Sequence, residues 1–192
     1  MRAIQVLIAV FACWAVASQP LDQIMNVHDR DGIDLNGQRP VIVDPYDYGT
    51  FDYLSRPLTS GFWTSPGPQA PTDPEEHNYT AAETLAVPGD WNSQRDDLFF
   101  YEGTVWYRRD FQAQPDPARR HFICFGGANK RVKVWFNGQE LGEHAVGFTP
   151  FHVEVTDLIR EGANDLTVRV NNARRFAAVP AIDVHPRCRA QL

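Results

Sequence analysis

The stretch "PGDWNSQRDDLFFYEGTVWY", residues 88–107, combines aromatic rings with amides and carboxylates. Trp91 and Asn92 follow a Pro-Gly turn, which fixes the direction of the backbone at this point. A sugar needs an apolar face for its ring and hydrogen-bonding groups for its hydroxyls, and an exposed indole beside an amide supplies both. The pair therefore predicts a sugar contact. The alternative is that Trp91 simply covers the end of the core.

A second group of polar side chains lies in "NNARRFAAVP", residues 171–180. Asn171, Asn172, Arg174 and Arg175 directly follow an apolar strand pattern, and a loop at the end of a strand is a frequent place for ligand contacts. The alternative is a solvated turn. We take Asn172 and Arg174 as candidate ligand-binding residues.

Motifs for catalysis and metal binding are absent from the sequence, which has no GxSxG, HExxH or glycine-rich phosphate loop. The adjacent acids Glu75-Glu76 and Asp96-Asp97 are in loops, where neighbouring carboxylates face water in different directions, so we predict no catalytic pair. The histidines and cysteines lack metal-ligand spacing, and we expect neither a metal nor a cofactor. The net charge of −6 argues against a nucleic-acid partner, because such binding requires phosphate neutralisation.

The N-terminus has the layout of an export signal. One arginine precedes an apolar run from Ile4 to Ala17, and small residues follow it. We therefore expect a signal peptide over residues 1–18 and a secreted or periplasmic location. Asn78 begins an Asn-Tyr-Thr acceptor pattern for N-glycosylation. Cys124, in the apolar "HFICFGG", is expected to be buried and free of a disulfide with Cys188.

The segments that must position these side chains are β-strands. "VIVDPYDYG" predicts a short strand that ends at Pro45, and the Pro-rich residues 55–88 predict a long surface excursion. After Tyr101 the apolar residues alternate, and Asn137-Gly138 predicts a type I′ hairpin turn. The predicted inward residues are Val105, Tyr107 and Phe111, then Val132, Val134 and Phe136, then Phe151, Val153 and Val155, then Leu166, Val168 and Val170. This pattern predicts an all-β, jelly-roll type antiparallel β-sandwich.

Two tryptophans fall on the opposite faces of their strands from the inward residues. Trp106 and Trp135 are expected either to pack against a neighbouring domain or to stack on one another. If they form an exposed face, they and an unpaired sheet edge would favour association into an oligomer.

Several segments in order resemble the N-terminal sugar-binding domain of family 2 glycoside hydrolases, the β-glucuronidase and β-galactosidase group. The resemblance covers roughly residues 33–180 and includes "IDLNGQRPVIVDPYDYG", "VPGDWNSQ", "FFYEGTVWYRRDF" and "KVWFNGQELGEHAVGFTPFHVEVTDLIREGANDLTVRVNN". "RRFAAVP" and "DPYDYG" are most similar to the β-glucuronidase-like members. The resemblance implies a galactose-binding-domain-like fold over residues 19–180 and a divergent tail over residues 181–192.

The resemblance also implies a function. In the family this domain precedes an immunoglobulin-like domain and a TIM barrel whose two Glu residues hydrolyse terminal β-glycosides with retention. It implies that Trp91, Asn92, Glu102 and Thr104 lie near the mouth of the active site. Because the family's acidic, aromatic loop and closing strands have no counterpart in "AIDVHPRCRAQL", we expect an incomplete sandwich and no hydrolysis by this chain alone.

Three functions remain open from the sequence. The first is the sugar-binding domain of a secreted glycosidase, without its catalytic barrel. The second is a free-standing carbohydrate-binding module. The third is a protein-interaction sandwich that uses Trp106 and Trp135 as its contact patch.

Overall fold

The structure is a computed structural model that describes residues 30–64 and 78–174. Eight strands form two antiparallel sheets in this part of the chain. The strands are β1 (Gly37–Asp44), β2 (Thr84–Val87), β3 (Thr104–Ala113), β4 (Phe122–Phe125), β5 (Arg131–Phe136), β6 (Gln139–His144), β7 (Phe151–Glu154) and β8 (Gly162–Asn171). A single helical turn, α1 (Trp91–Gln94), and a 3₁₀ turn at Asp96–Leu98 lie between β2 and β3.

The larger sheet has six strands in the order β2-β1-β3-β8-β5-β6, and the smaller sheet pairs β4 with β7. The central pair is β3 with β8, in register from Thr104 opposite Asn171 to Ala113 opposite Gly162. Every neighbouring pair in both sheets is antiparallel. The predicted all-β antiparallel sandwich is confirmed, and β1 ends directly before Pro45 as predicted.

The core between the sheets is built by strand alternation. All the predicted inward residues belong to one apolar cluster, in which Val105, Val132 and Val170 are completely buried. The predicted hairpin is also confirmed, because Asn137 and Gly138 have φ values of 49° and 80° and join β5 to β6. A type I′ turn requires such positive φ values at both positions, and this turn fixes the register of the two strands.

The opposite face of the large sheet carries a second cluster of aromatic rings. The Trp106 and Trp135 rings lie 5.1 Å apart, and Trp63 from the Pro-rich excursion stacks on Trp135 at 5.3 Å. With exposures of 0% and 2%, Trp106 and Trp135 are closed off by this chain's own residues. Stacking on one another is therefore the correct alternative, and the hypothesis that they form an exposed contact patch is wrong.

Cys124 is an exception to the predicted core. It lies in β4, as expected, but its side chain is exposed and free. The reason is strand parity: Ile123 and Phe125 face the core, so Cys124 between them faces outward. The expected burial of Cys124 was wrong, because the apolar run "HFICF" hides an alternating strand. Cys188 lies outside the described residues.

Candidate functional site

The candidate site lies at one end of the large sheet, where β3 begins and β8 ends. Because these strands are antiparallel neighbours, residues about 70 positions apart in the sequence meet there. The amide of Gly103 donates to Oδ1 of Asn172 at 2.9 Å, and the amide of Asn172 donates to the Gly103 carbonyl at 3.1 Å. The structure thereby brings together four of the predicted residues, namely Glu102, Thr104, Asn172 and Arg174.

An exposed ion pair forms the surface of this site. Nε of Arg174 donates to Oε1 of Glu102 at 2.8 Å, and Nη2 of Arg174 contacts the same oxygen. The hydrogen bond from Arg174, reinforced by its charge and that of Lys130, lowers the pKa of Glu102 below its ordinary value. Glu102 is therefore an anion at neutral pH, and the site presents one negative and one positive group to solvent.

Thr104 lies beneath this surface in a buried polar network. Its hydroxyl donates to Oδ1 of Asp47 at 3.1 Å and accepts from Nδ2 of Asn171 at 2.7 Å. Arg169 donates to both Asp47 oxygens. Because Thr104 is only 1% exposed, its hydroxyl supports the site from below and does not face solvent.

Trp91 is placed differently from the sequence prediction. Asp90 caps α1 by accepting from the Ser93 amide at 2.8 Å, and this turn directs the Trp91 ring into the core. Trp91 is 2% exposed, and its Nε1 donates to the Tyr101 carbonyl at 3.4 Å. The expectation of an exposed indole is wrong, and the alternative that Trp91 covers the end of the core is correct.

Asn92 also acts on its own chain. Its Nδ2 donates to the carbonyls of Leu98, Phe99 and Tyr101 at 2.5, 3.2 and 3.1 Å. The amide is thus engaged in holding the loop that leads to Glu102. The position of Asn92 therefore does not support the predicted direct contact with a sugar. Its role is to fix where β3 begins.

The exposed rings of this segment are those of Phe99 and Phe100. They pack edge to face with centroids 4.7 Å apart, and Phe100 is 89% exposed. Sequence reasoning missed them, although two adjacent aromatics before a strand cannot both face a core. They give the loop beside Glu102 the apolar surface that Trp91 does not provide.

Further residues that the sequence did not indicate lie at this end. The Lys130 amide donates to the Asn171 carbonyl at 3.2 Å, which places the start of β5 beside the end of β8. Phe148 is 54% exposed, and its amide donates to the Ala128 carbonyl at 3.3 Å. Its φ of 62° belongs to the left-handed region, which non-glycine residues rarely adopt. No local sequence signal marks these contacts, because they depend on the pairing of distant strands.

Asp44 connects the site to the tryptophan cluster. Its carboxylate accepts from Nε1 of Trp106 at 3.0 Å and from the amides of Tyr48 and Gly49 at 2.8 and 2.9 Å. These bonds shape the loop that carries Asp47. The exposed rings of Tyr46 and Tyr48 flank Asp47 in the chain and stack with centroids 5.6 Å apart.

The functional groups at this end of the sheet are polar and aromatic side chains. Residues 30–64 and 78–174 hold no group of three or more His, Cys, Asp or Glu that could bind a metal ion. No helix within these ranges has the length and apolar character to cross a membrane. Asn78 lies at the start of the second range, and its Oδ1 accepts from the Thr80 amide at 2.7 Å. Glycosylation of Asn78 stays a prediction.

Comparison with known proteins identifies the family. Residues 60–182 match the model of "Glycosyl hydrolases family 2, sugar binding domain", so the chain belongs to that family and the resemblance seen in the sequence is confirmed.

The relatives are named β-glucuronidases or, in one case, a β-galactosidase. A β-glucuronidase of Formosa agariphila is 33% identical over 119 residues, which cover 54% of this chain and 12% of that protein. A β-glucuronidase of Paenibacillus borealis is 29% identical over 139 residues, which cover 67% of this chain and 23% of that protein. Among solved structures, Bifidobacterium dentium β-glucuronidase complexed with coumarin-3-O-glucuronide is 31% identical with a TM-score of 0.52, covering 72% of this chain and 19% of that one. The chain thus spans less than a quarter of the length of these three relatives.

Proposed function

We propose that this chain is the sugar-contacting domain of a secreted β-glucuronidase-like hydrolase, and that it binds the terminal sugar without cleaving its bond. The observation that carries the proposal is the exposed Glu102–Arg174 pair at the junction of β3 and β8. A uronic acid offers a carboxylate for a guanidinium and hydroxyls for a carboxylate and an amide. The family and the names of the relatives support glucuronide as the substrate class.

Binding without cleavage follows from the state of the acids in the site. Retaining hydrolysis needs one carboxyl group that holds a proton near neutral pH and a second one as nucleophile, about 5 Å away. Glu102 has the opposite property, because Arg174 lowers its pKa. Arg169 holds Asp47 through three hydrogen bonds, one from Nε and two from Nη2. Neither acid is placed as a proton donor to a leaving group.

The exposed rings supply the apolar part of the contact. Phe100 lies two residues before Glu102, and Tyr46 and Tyr48 flank Asp47. In this proposal the rings serve as walls for the sugar or its aglycone, while Glu102, Asn172 and Arg174 provide hydrogen bonds. Thr104, Asn92 and Trp91 act indirectly, by holding the loops that carry these groups.

The proposal includes partners and a location. In the whole enzyme an immunoglobulin-like domain and a TIM barrel would complete the active site, and the barrel would supply both catalytic Glu residues. The signal-like residues 1–18 support export. They lie outside the described residues, as do residues 181–192. Oligomer formation stays a prediction that rests on the strand edges alone.

A second candidate is a free-standing carbohydrate-binding module. It is favoured by the closed network of the site, in which Asp47, Thr104, Arg169 and Asn171 satisfy one another within the same domain. Such a site needs no other domain to hold its shape. The two candidates differ in affinity. A domain that forms only one side of a larger enzyme's pocket binds a monosaccharide weakly, whereas a free-standing module must bind it with its own residues.

The test is to titrate the full chain with methyl β-glucuronide and, separately, with methyl β-glucoside. Heteronuclear NMR monitors each titration. We expect the glucuronide to shift the amides of residues 102–104 and 171–174, with Kd in the millimolar range, and the Arg174→Gln variant to lose this response. Arg56→Gln, which removes a cation of a different exposed ion pair, is the matched control. Equal responses to both sugars would refute uronate recognition. Micromolar affinity would favour the free-standing module.

A further inference from the structure

A cavity of about 1020 Å³ lies between the inner face of the large sheet and the smaller sheet. Its lining comes from both sheets and combines apolar side chains with charged ones. The apolar residues include Tyr107, Phe111, Phe125, Phe136, Leu166 and Val168. A space of this size and lining, within the part of the chain that the structure describes, is comparable to the sites that hold small apolar molecules.

Two arginines from neighbouring strands of the large sheet line this cavity. Arg109 is on β3 with the same parity as Tyr107 and Phe111, so it belongs to the inner face of the sheet. The register that pairs Val41 with Tyr107 brings Arg39 of β1 alongside Arg109. Both line the cavity, and burial together with the charge of Arg109 lowers the pKa of Arg39. Two like charges thus lie side by side on neighbouring strands.

Neither Arg39 nor Arg109 forms an ion pair with a carboxylate in the described part of the chain, although the charge of Asp34, which also lines the cavity, acts on Arg39. Arg39 donates to the backbone carbonyls of Leu35, Asn36 and Gln38, which fixes its position without neutralising its charge. Nε of Arg109 is buried and has no hydrogen-bond partner in the described part of the chain. A buried donor of this kind costs free energy unless something accepts from it, so the geometry points to an anion.

Three of the other four arginines that line the cavity are matched with acids, and Arg30 is the exception. Six arginines and three aspartates line it, in a chain whose net charge is −6. Arg119 pairs with Asp116 and Asp31, Arg120 with Glu154, and Arg108 with Asp110 and Asp165. Arg39 and Arg109 therefore stand apart from these surface pairs.

We propose that this cavity binds a carboxylate with an apolar tail, with the carboxylate on Arg39 and Arg109 and the tail along Tyr107, Phe111 and Val168. A guanidinium pair recognises a carboxylate through charge-assisted hydrogen bonds, and the apolar walls exclude water from the tail. Arg109 is five residues from Thr104 along β3, about 17 Å in a strand. This site is thus separate from the sugar contact, and the inference goes beyond the proposed function.

The test compares octanoate with 1-octanol, which has the same chain length and no charge, by isothermal titration calorimetry on the full chain. We expect octanoate to bind at least about tenfold more tightly than octanol, since hydrogen bonds to a charged group are worth roughly 1.5 kcal/mol or more. Equal affinities, or no binding of octanoate at millimolar concentration, would overturn the proposal.

Variants then locate the site. Arg109→Gln should remove the tenfold preference and leave octanol binding unchanged, whereas Arg109→Lys should retain part of it. Arg119→Gln, which removes a surface cation of the same cavity rim, should keep the preference. If Arg109→Gln does not fold, as judged by circular dichroism, Arg39→Gln replaces it. A preference for octanoate that survives in both arginine variants would also overturn the assignment.

Discussion

Nη2 of Arg169 lies 2.6 Å from each carboxylate oxygen of Asp47, and the two residues are 122 positions apart in the sequence. This contact ties the loop after β1 to the strand β8 beneath the candidate sugar site. Asp47 has a φ of 60°, a left-handed conformation that Asp adopts more readily than most residues. The loop is therefore shaped by a long-range partner as well as by its local sequence.

Replacing Asp47 by Asn should destabilise the domain by about 2 kcal/mol, because Arg169 would keep its charge in a mostly buried position without a counter-ion. Urea unfolding measures the change. Glu140→Gln, which removes an exposed partner of Lys133, is the control and should cost less than about 1 kcal/mol. If both substitutions lowered the free energy of unfolding equally, the buried Asp47–Arg169 pair would contribute no more stability than the exposed one.

Asn92→Ala should loosen the loop of residues 98–101. Three carbonyls lose their shared donor, and we expect a loss of about 1 to 2 kcal/mol together with faster amide exchange in that loop. Ser93→Ala is the neighbouring control, because the Ser93 hydroxyl bonds only to Asp90. Unchanged exchange at residues 98–101 in Asn92→Ala would contradict the assigned role.

Trp135→Ala should cost about 3 to 5 kcal/mol, as is usual for a large buried aromatic side chain. It removes the ring that packs against both Trp63 and Trp106 and leaves a cavity on the outer face of the sheet. Phe100→Ala removes an exposed ring and should stay within about 0.5 kcal/mol. Thermal unfolding followed by near-UV circular dichroism distinguishes them, and similar melting temperatures would rule out a structural tryptophan cluster.

Gly49→Ala should be destabilising by about 1 to 3 kcal/mol through overpacking. A Cβ at this position would lie 2.6 Å from the Trp106 ring and 2.7 Å from the Phe62 ring. Gly126→Ala serves as the control, because a Cβ there meets nothing within 4 Å. Chemical denaturation of both variants checks the prediction, which fails if Gly49→Ala is as stable as Gly126→Ala.

Glu154 provides a pH test at the edge of the smaller sheet. Hydrogen bonds from Arg120 and then from Thr156 lower its pKa to about 2. Because the folded-state pKa is depressed, its contribution to stability is present above the ordinary carboxyl pKa near 4.3 and is lost as the pH falls toward 2. In Arg120→Gln the carboxyl should titrate closer to 4.3 by NMR. A midpoint that stays near 2 would contradict the role of Arg120.

Strand positions and core faces could be predicted from the sequence, because a half-buried strand must alternate apolar and polar residues. Val105, Val134 and Val168 therefore fell on the correct face, and Asn137-Gly138 marked its own hairpin. Cys124 was misplaced because "HFICF" is apolar on both faces, which conceals the parity of the strand. Such runs do not reveal which residue faces the core.

The site could be predicted only in part. Glu102 and Arg174 came from separate segments, and their ion pair depends on the register of β3 with β8. Trp91 was misplaced because composition does not reveal in which direction a helical turn points a ring. The Asp47–Arg169 contact carries no local signal, since each residue is unremarkable in its own segment.

The pairing of β3 with β8 also sets an order on the folding of the chain. These central strands enclose β4 to β7 in sequence, so the shortest loop between them runs from Ala113 to Gly162. Closing a loop of that length is entropically costly, and sheets built on such distant pairs fold slowly. Thr104 can pair only after Asn171 has emerged from the ribosome, so the end of the sheet that carries the candidate sugar site is completed only after every strand of the smaller sheet has been synthesised.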